Sequence, residues 1–411
     1  MNPITRTTVI LLFTAWCIDY IDRSVIGVAL PSIGKDLDLG HGQLGLVVSV
    51  FFIAYALAQV PGGMLADRFG AMRVAIAGLV AWSVFTGLTA VAASLAMLLV
   101  IRLLFGLAQG IFPAAGMKLL AERSTPEERM TANGWVNSAN AVGVVLAMII
   151  AAMLLPLVGW RGMFLAISVI GLAVTVIFAR RMPAPMVGIA DAPRSSIRST
   201  ALLRSRAMWW FSLAFLGYDV IVWGMGAWVP TYLQEHFGLS ASASALLVLP
   251  AGLAAAAVIV LTGRASDRID GRPIALIVPG IVIGGVAIAL VPHMPNVATT
   301  IAVLTLGGGA SATTYIGCFS LPLKQLAPSA AGIGASMILL GGMVAGVIAP
   351  TVFGIIVDSA GWTAAWSFLA IGAVVTLIAT ALMPHDAKAF RAAVPNSLLA
   401  QTNTSELVAK D

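Results

Sequence analysis

Apolar runs long enough to be membrane helices alternate with short polar segments along the chain. A helix needs about 20 mostly apolar residues to cross the hydrocarbon core of a bilayer. Twelve runs reach about that length: 8–34, 43–66, 73–93, 95–121, 131–156, 161–180, 207–234, 243–264, 272–291, 297–326, 330–357 and 362–383. The pattern predicts an all-α membrane protein with twelve transmembrane helices, numbered here as spans 1 to 12.

The longest polar interruption divides the twelve spans into two sets of six. It covers residues 181–206 and contains three prolines and a group of arginines. We expect an N-terminal six-helix bundle over 1–180, a cytoplasmic linker over 181–206, a C-terminal bundle over 207–383 and a polar cytoplasmic tail over 384–411. The two bundles would form pseudo-symmetric halves around a central cavity.

A repeated motif relates the two halves. Span 2 and span 8 each end in a glycine that is followed, four residues later, by Asp–Arg, and the two Asp–Arg pairs are 200 residues apart. Asp67 is expected to cap the next helix, and Arg68 to reach carbonyl groups or acidic partners across a gate. Parallel repeats of this kind occur in one class of transporter. The motif residues are Gly63, Asp67, Arg68, Gly70 and Arg73 in the first copy and Gly263, Asp267 and Arg268 in the second.

Composition and charge support a membrane protein and exclude several other classes. Hydrophobic residues make up 60% of the chain and charged residues 10%, against about 25% charged in soluble domains. The net charge of +6 comes from Lys and Arg concentrated in the loops of one face, which predicts cytoplasmic termini in a bacterial inner membrane. We therefore expect a lipid bilayer as partner and no nucleic acid.

The sequence offers no signature of an enzyme or of a bound cofactor. It has no glycine-rich phosphate loop and no nucleophile–base pattern, and Cys17 and Cys318 lie in different predicted spans without metal-type spacing. We expect no metal and no catalytic residues.

Span 1 carries an unusual group of charges, Asp19, Asp22 and Arg23, with Tyr20 between them. Each charge at bilayer depth costs about 2.5–3.5 kcal/mol, so the three must pair, face water or function. Asp19 and Arg23 are four residues apart and can pair on one helix face. The alternative is a cluster that only neutralises itself.

Three further spans contain candidate site residues. Arg102 and Gln109 share a stripe of span 4, and two intramembrane arginines on different helices indicate an anionic substrate, because guanidinium groups bind carboxylates in a planar, bidentate manner. Asp219 in span 7 has no basic residue within seven positions and is a candidate proton carrier, or else a hydrogen-bonded structural carboxyl. Trp223 of span 7 and Thr314 and Tyr315 of span 10 are candidate cavity residues, although the small residues of span 10 also suit helix packing.

Residues 8–383 resemble the major facilitator superfamily, through the repeated motif and the two six-span halves. Within it, the chain resembles the anion:cation symporter family, whose members include proton-coupled carriers of sugar acids and other carboxylates. The resemblance rests on Asp-Tyr-Ile-Asp-Arg at 19–23, on Arg102 with Phe-Pro at 112–113, and on Trp-Val-Pro-Thr-Tyr-Leu at 228–233. It implies that Arg23 binds the substrate anion, Asp22 carries a proton, Arg102 is the span-4 arginine, and Tyr20, Tyr55 and Asn140 face the substrate.

Two positions depart from that family. Many members have a glutamate where this chain has Gln109, which cannot titrate, and sugar-acid carriers have asparagines in span 11 where Leu339 and Met343 align here. Both differences favour a carboxylate with fewer hydroxyl groups than a hexonate.

These observations predict a monomeric symporter that takes up a small organic anion together with a proton, driven by the proton gradient. Asp22, with Asp219 or Asp19, would carry the proton, and Asp22 would compete with the substrate for Arg23. A uniporter or exchanger of organic anions, in which the acids only neutralise the arginines, is an alternative. So is a multidrug/proton antiporter, although span 5 lacks the glycine-proline signature usual in that class.

Overall fold

The chain is almost entirely helical in the computed structural model, which describes residues 1–186, 200–268 and 272–400. Within these ranges, the strand-like pairing is limited to one isolated bridge between Leu326 and Leu399. The α-helices are α1 (Pro3–Leu37), α2 (His41–Phe69), α3 (Ala71–Thr89), α4 (Leu95–Gly110), α5 (Phe112–Glu122), α6 (Pro126–Arg181), α7 (Thr200–Leu203), α8 (Arg206–Phe237), α9 (Ala241–Leu247), α10 (Leu249–Arg268), α11 (Pro273–Leu290), α12 (Val297–Ser311), α13 (Thr313–Gln325), α14 (Pro328–Leu382) and α15 (Ala387–Ala393).

These helices account for the twelve predicted spans. Helices α1, α2, α3, α8 and α11 form spans 1, 2, 3, 7 and 9, whereas spans 4, 8 and 10 are the pairs α4/α5, α9/α10 and α12/α13. Spans 5 and 6 both lie in α6, and spans 11 and 12 both lie in α14. Nine helices in the described part of the chain are long and apolar enough to cross a membrane; α1, which carries the charged cluster, is not among them.

Two glycines separate the paired spans of α6 and α14. Gly159 has φ 65° and Gly361 has φ 80°, a region that side chains with a Cβ rarely adopt. The two breaks are 202 residues apart and fall at equivalent places in the halves. The repeat seen in the sequence is therefore also present in the backbone.

The two halves touch on the side of the bundle away from the chain termini, called here the distal side; the other is the terminal side. His41 of span 2 lies between two acids of the C-terminal half, with its Nε2 at 2.9 Å from Glu235 and its Nδ1 at 2.7 Å from Asp358. Nearer the middle of the bundle, the Thr351 hydroxyl donates to that of Ser49 over 2.7 Å. These contacts join spans 2, 7 and 11 and close the distal side.

Close backbone packing supports the same closure. Gly45 of span 2 lies so near the Pro350 carbonyl of span 11 that a Cβ at residue 45 would overlap it. On the terminal side, Gly134 of span 5 and Gly332 of span 11 have no atom within 4 Å of the position that a Cβ would take. The close backbone contact between spans 2 and 11 therefore lies on the distal side.

A methyl group at Gly45 should prevent this closure. Replacing Gly45 by alanine is expected to favour states that are open on the distal side by about tenfold or more, since overpacking costs about 1–3 kcal/mol. A cysteine at Ser49 should then react faster with an impermeant maleimide added on the distal side. Gly134→Ala is the matched control, because its methyl group enters open space. Equal reactivity in the two variants would contradict this account of the closed side.

The described part of the predicted polar tail is folded against the C-terminal half. The buried Phe390 of α15 packs against Phe211 of span 7, with ring centroids 6.1 Å apart. The backbone of Ala327 donates to Leu398, and that of Ala400 to Gln325. This segment therefore adds to the terminal face of spans 7 and 10.

Candidate functional site

Arg23 is at the centre of the polar site in span 1. Its Nη2 donates to Asp19 Oδ2 at 3.0 Å and to Gln109 Oε1 at 3.5 Å. The Gln109 amide nitrogen in turn donates to the Asp19 backbone carbonyl at 3.3 Å. The side chain of Arg23 is 10% exposed and that of Asp19 4%, so the ion pair is buried but its guanidinium is not completely enclosed.

Three aromatic rings surround the Arg23 guanidinium. Its central carbon lies 4.6 Å from the ring centroid of Tyr55 and 5.2 Å from those of Tyr20 and Phe51. Rings at this distance attract a cation and exclude water. The Nε of Arg23 is buried and has no hydrogen-bond partner among the described residues.

Asp22 does not pair with Arg23, contrary to the competition expected from the sequence. It lies beside the Thr86 hydroxyl and under the electrostatic influence of Arg102, and no hydrogen bond to its Oδ1 comes from the described residues. The reason is geometric: Asp22 is adjacent to Arg23 in sequence and points about 100° away from it around the helix, whereas Asp19 is one turn away on the same face.

Arg102 does not share a site with Arg23. It is 3% exposed, its guanidinium is 5.2 Å from the ring centroids of Phe105 and Phe164, and its Nε and Nη2 have no partner in the described structure. Seven residues separate it from Gln109, about 10 Å along the helix. The structure thus places Arg102 with Asp22 in a second buried polar cluster of the N-terminal half.

Asp219 lies in the C-terminal half with no ion-pair partner in the described ranges. Span 11 packs directly on it, since a Cβ at Gly342 would overlap its carboxylate. One turn further along span 7, Trp223 contacts Phe52 of the N-terminal half, with ring centroids 4.5 Å apart. Trp223 therefore lies at the contact between the halves.

The remaining predicted residues divide between the cavity and the helix packing. Tyr315 is 37% exposed and lies near Tyr20 of the other half. Asn140 is exposed, three residues before Gly143, whose backbone packs on Tyr20. The structure does not bring Thr314 into the cavity: its side chain is completely buried and its hydroxyl has no partner in the described residues.

The first copy of the repeated motif is tied to span 4 through a lysine. Lys118 Nζ lies 2.7 Å from Asp67 and donates to the Ala66 carbonyl at 3.2 Å. Asp67 therefore does not cap α3 as expected; that position is taken by Gly70, with φ 89°. Gly63 lies 3.7 Å from Ala114 of span 4, in agreement with close helix approach.

The second copy shows the same contact. Lys324 of span 10 donates to the Ser266 carbonyl at 3.4 Å, as Lys118 does to Ala66, which is 200 residues earlier than Ser266. The Asp267 and Arg268 side chains lie outside the described residues, while Arg68 contacts the ring of Phe69 and Arg73 is exposed. Sequence reasoning missed both lysines, although each is a lone cation near the end of an equivalent span.

Sequence comparison agrees with this architecture. The family profile described as Major Facilitator Superfamily matches residues 12–350. The chain belongs to the major facilitator superfamily. It is a multi-pass membrane protein from a family of transporters, not of enzymes.

Several relatives in this superfamily are named as carriers of organic anions. The chain is 33% identical to the hexuronate transporter of Bacillus subtilis (strain 168) over 59% of its length and 60% of the relative's. It is 29% identical to the probable L-galactonate transporter of Escherichia coli (strain K12) over 65% and 62%. These matches span about three fifths of those two relatives. The probable sulfoacetate transporter of Cupriavidus necator is 30% identical over 90% of this chain and 92% of its own.

Solved structures share the fold of this major facilitator protein. A bacterial homologue of the human lysosomal transporter Spinster, crystallised in an inward-facing and occupied conformation, superposes with a TM-score of 0.80. The two chains are 18% identical, and the match covers 93% of this chain and 96% of the other. At that identity the likeness supports the fold alone.

Proposed function

We propose that this protein is a secondary active transporter that takes up a carboxylate-bearing organic anion together with a proton by alternating access. The observation that carries the proposal is the Asp19–Arg23 pair, a partly accessible guanidinium held by one carboxylate, one amide and three aromatic rings at the cavity between the halves. A substrate carboxylate can take the place of Asp19 on the guanidinium, because both present the same two oxygens.

Charge balance accounts for coupling to a proton. In the empty site, Asp19 neutralises Arg23. An anion that replaces Asp19 leaves a second negative charge in a buried site, where an uncompensated charge is costly. A proton on Asp19 removes that charge, so anion and proton together restore the balance of the empty site. Asp22 and Asp219 are further buried acids that share this role if the proton moves through the protein.

The distribution of basic residues supports an orientation with both termini in the cytoplasm of a bacterial inner membrane. In that orientation the distal side, closed by His41 with Glu235 and Asp358, is periplasmic. The cavity then opens to the cytoplasm. The Lys118–Asp67 contact at the terminal ends of spans 2 and 4 is in place to change when that side closes. We propose that a single chain carries out the cycle, since each half contributes one wall of one cavity.

The relatives define the first anions to examine. Hexuronate, L-galactonate and sulfoacetate appear in their names, and each carries one carboxylate. In proteoliposomes with an acidic exterior and a neutral lumen, we expect a labelled carboxylate to accumulate above its external concentration, and a protonophore to abolish the accumulation. Uptake that stops at equilibrium whatever the pH gradient would instead establish a uniporter. Uptake that requires an anion inside would establish an exchanger.

A further inference from the structure

The wall of the cavity in the C-terminal half is aromatic. Tyr315 and Phe319, one turn apart on span 10, have ring centroids 5.1 Å apart at an interplanar angle of 31°. Phe215 of span 7 contacts both, at 5.8 Å and 5.4 Å, in edge-to-face geometry. The three rings hold one another in position, so the exposed face of Tyr315 is a fixed surface rather than a mobile side chain.

This aromatic surface lies opposite the Arg23 site. Tyr315 lies near Tyr20 across the interface between the halves, and Tyr20 is one of the rings around the Arg23 guanidinium. Trp223 of span 7 contacts Phe52, whose neighbour Phe51 is another of those rings. A substrate whose carboxylate is bound by Arg23 therefore places the rest of its body between Tyr20 and Tyr315. Phe319 follows one turn closer to the open terminal side.

Apart from the Tyr20 and Tyr315 hydroxyls, the side chains of spans 10 and 11 considered at this place are apolar or turned away from the cavity. A polyhydroxylated anion needs a partner for each buried hydroxyl group, because an unmatched one costs more than it contributes. The Thr314 hydroxyl is buried away from the cavity. On span 11, Leu339 is exposed and Met343, one turn later, packs with the apolar cluster of the N-terminal half. Aromatic and aliphatic side chains thus dominate the surface that faces the carboxylate site.

We propose that the transported anion is an aromatic carboxylate, whose carboxyl group is bound by Arg23 and whose ring lies between Tyr20 and the Tyr315–Phe319 surface. This inference rests on the proposed function and specifies its substrate. Ring edges and faces at centroid separations of about 4.5–7 Å attract one another beyond simple apolar burial, so the surface selects a planar ring over a saturated one of similar size.

The test compares three carboxylates of related size on the purified full-length protein: benzoate, cyclohexanecarboxylate and D-glucuronate. Affinities are measured by isothermal titration calorimetry at acidic pH. We expect benzoate to bind about tenfold more tightly than cyclohexanecarboxylate, and D-glucuronate to bind more weakly than both. D-glucuronate binding equal to or tighter than benzoate would overturn the aromatic assignment while leaving carboxylate transport intact. Failure of all three, and of the other carboxylates named above, would instead count against the proposed function.

Variants of Tyr315 test whether this residue is responsible for the preference for an aromatic ring. Tyr315→Leu should weaken benzoate about fivefold to tenfold and change cyclohexanecarboxylate by less than about twofold, because the aromatic contribution alone is lost. Tyr315→Phe should retain benzoate affinity. Trp209→Leu is the matched control, since Trp209 is an exposed aromatic residue of span 7 that donates to the Leu203 carbonyl outside this surface. An equal loss for benzoate and cyclohexanecarboxylate in Tyr315→Leu would show a general packing defect and contradict the proposed contact.

Discussion

Replacing Arg23 by lysine is expected to reduce transport and to weaken substrate binding by about 30-fold or more. Removing one partner of a buried charge pair costs about 2–5 kcal/mol. A lysine keeps the charge but has one compact ammonium group in place of a planar fork. It cannot bind Asp19 and Gln109 through one nitrogen while presenting a second donor to a carboxylate. It also loses the flat cation that lies over Tyr55.

The matched control for this variant is Arg161→Lys. Arg161 is a half-exposed arginine on the distal side that pairs with Asp36 and donates to the Ala92 carbonyl, so the same chemical change there should leave uptake near the original level. The measurement is the concentration dependence of labelled anion uptake into proteoliposomes, with membrane insertion of each variant verified. Arg23→Lys with the affinity of the unaltered protein would contradict bidentate capture.

Replacing Asp19 by asparagine is expected to abolish the pH dependence of anion binding. In the unaltered protein, an anion that needs a protonated Asp19 binds more tightly as the pH falls, by up to about tenfold per pH unit for one linked proton. Asparagine is neutral at every pH and leaves the Arg23 guanidinium permanently without an anionic partner. Binding should then be tight at neutral pH as well. Accumulation driven by a pH gradient should cease, whereas exchange of anion for anion should continue.

Two comparison variants make this result specific. Asp38→Asn changes an exposed acid in a left-handed turn on the distal side, which asparagine tolerates, and should alter nothing. Asp22→Asn tests the other buried acid of span 1, which lies beside Thr86 and not against Arg23. If Asp22→Asn abolished the pH dependence of binding while Asp19→Asn retained it, the linked proton would belong to Asp22. Asp22 would then affect binding of the anion at Arg23 indirectly, through its neighbour Arg102.

The helical architecture follows from the sequence because the length of the apolar runs suits membrane helices and not barrel strands. Every backbone polar group in hydrocarbon must be paired, and a continuous apolar run of about 20 residues, twice the length of a barrel strand, achieves this as a helix. The breaks at Gly159 and Gly361 lie at the predicted boundaries between spans 5 and 6 and between spans 11 and 12. The folded segment around Phe390 was not predictable in this way, because its burial depends on a contact with Phe211 about 180 residues away.

The ion-pair partner of Arg23 could not be predicted from the sequence alone. Helix periodicity permits Arg23 to pair with Asp19, and adjacency in sequence makes Asp22 a second candidate partner. The arrangement depends on spans 3 and 4, which bring Thr86 and Arg102 to Asp22, and Gln109 to Arg23. The His41 contacts with Glu235 and Asp358 join residues 194 and 317 positions apart, and no periodicity within a single helix could have indicated them.

The sequence by itself determined the number of spans, the two-half repeat, the family and the presence of an arginine at bilayer depth. Each of these depends on local hydrophobicity, on internal similarity or on the cost of a charge in hydrocarbon. Only the tertiary structure decided which acid pairs with Arg23, that Arg102 is buried apart from it, and that Tyr315 faces Tyr20. These facts depend on the rotation and packing of helices around one another, which many distant side chains determine together.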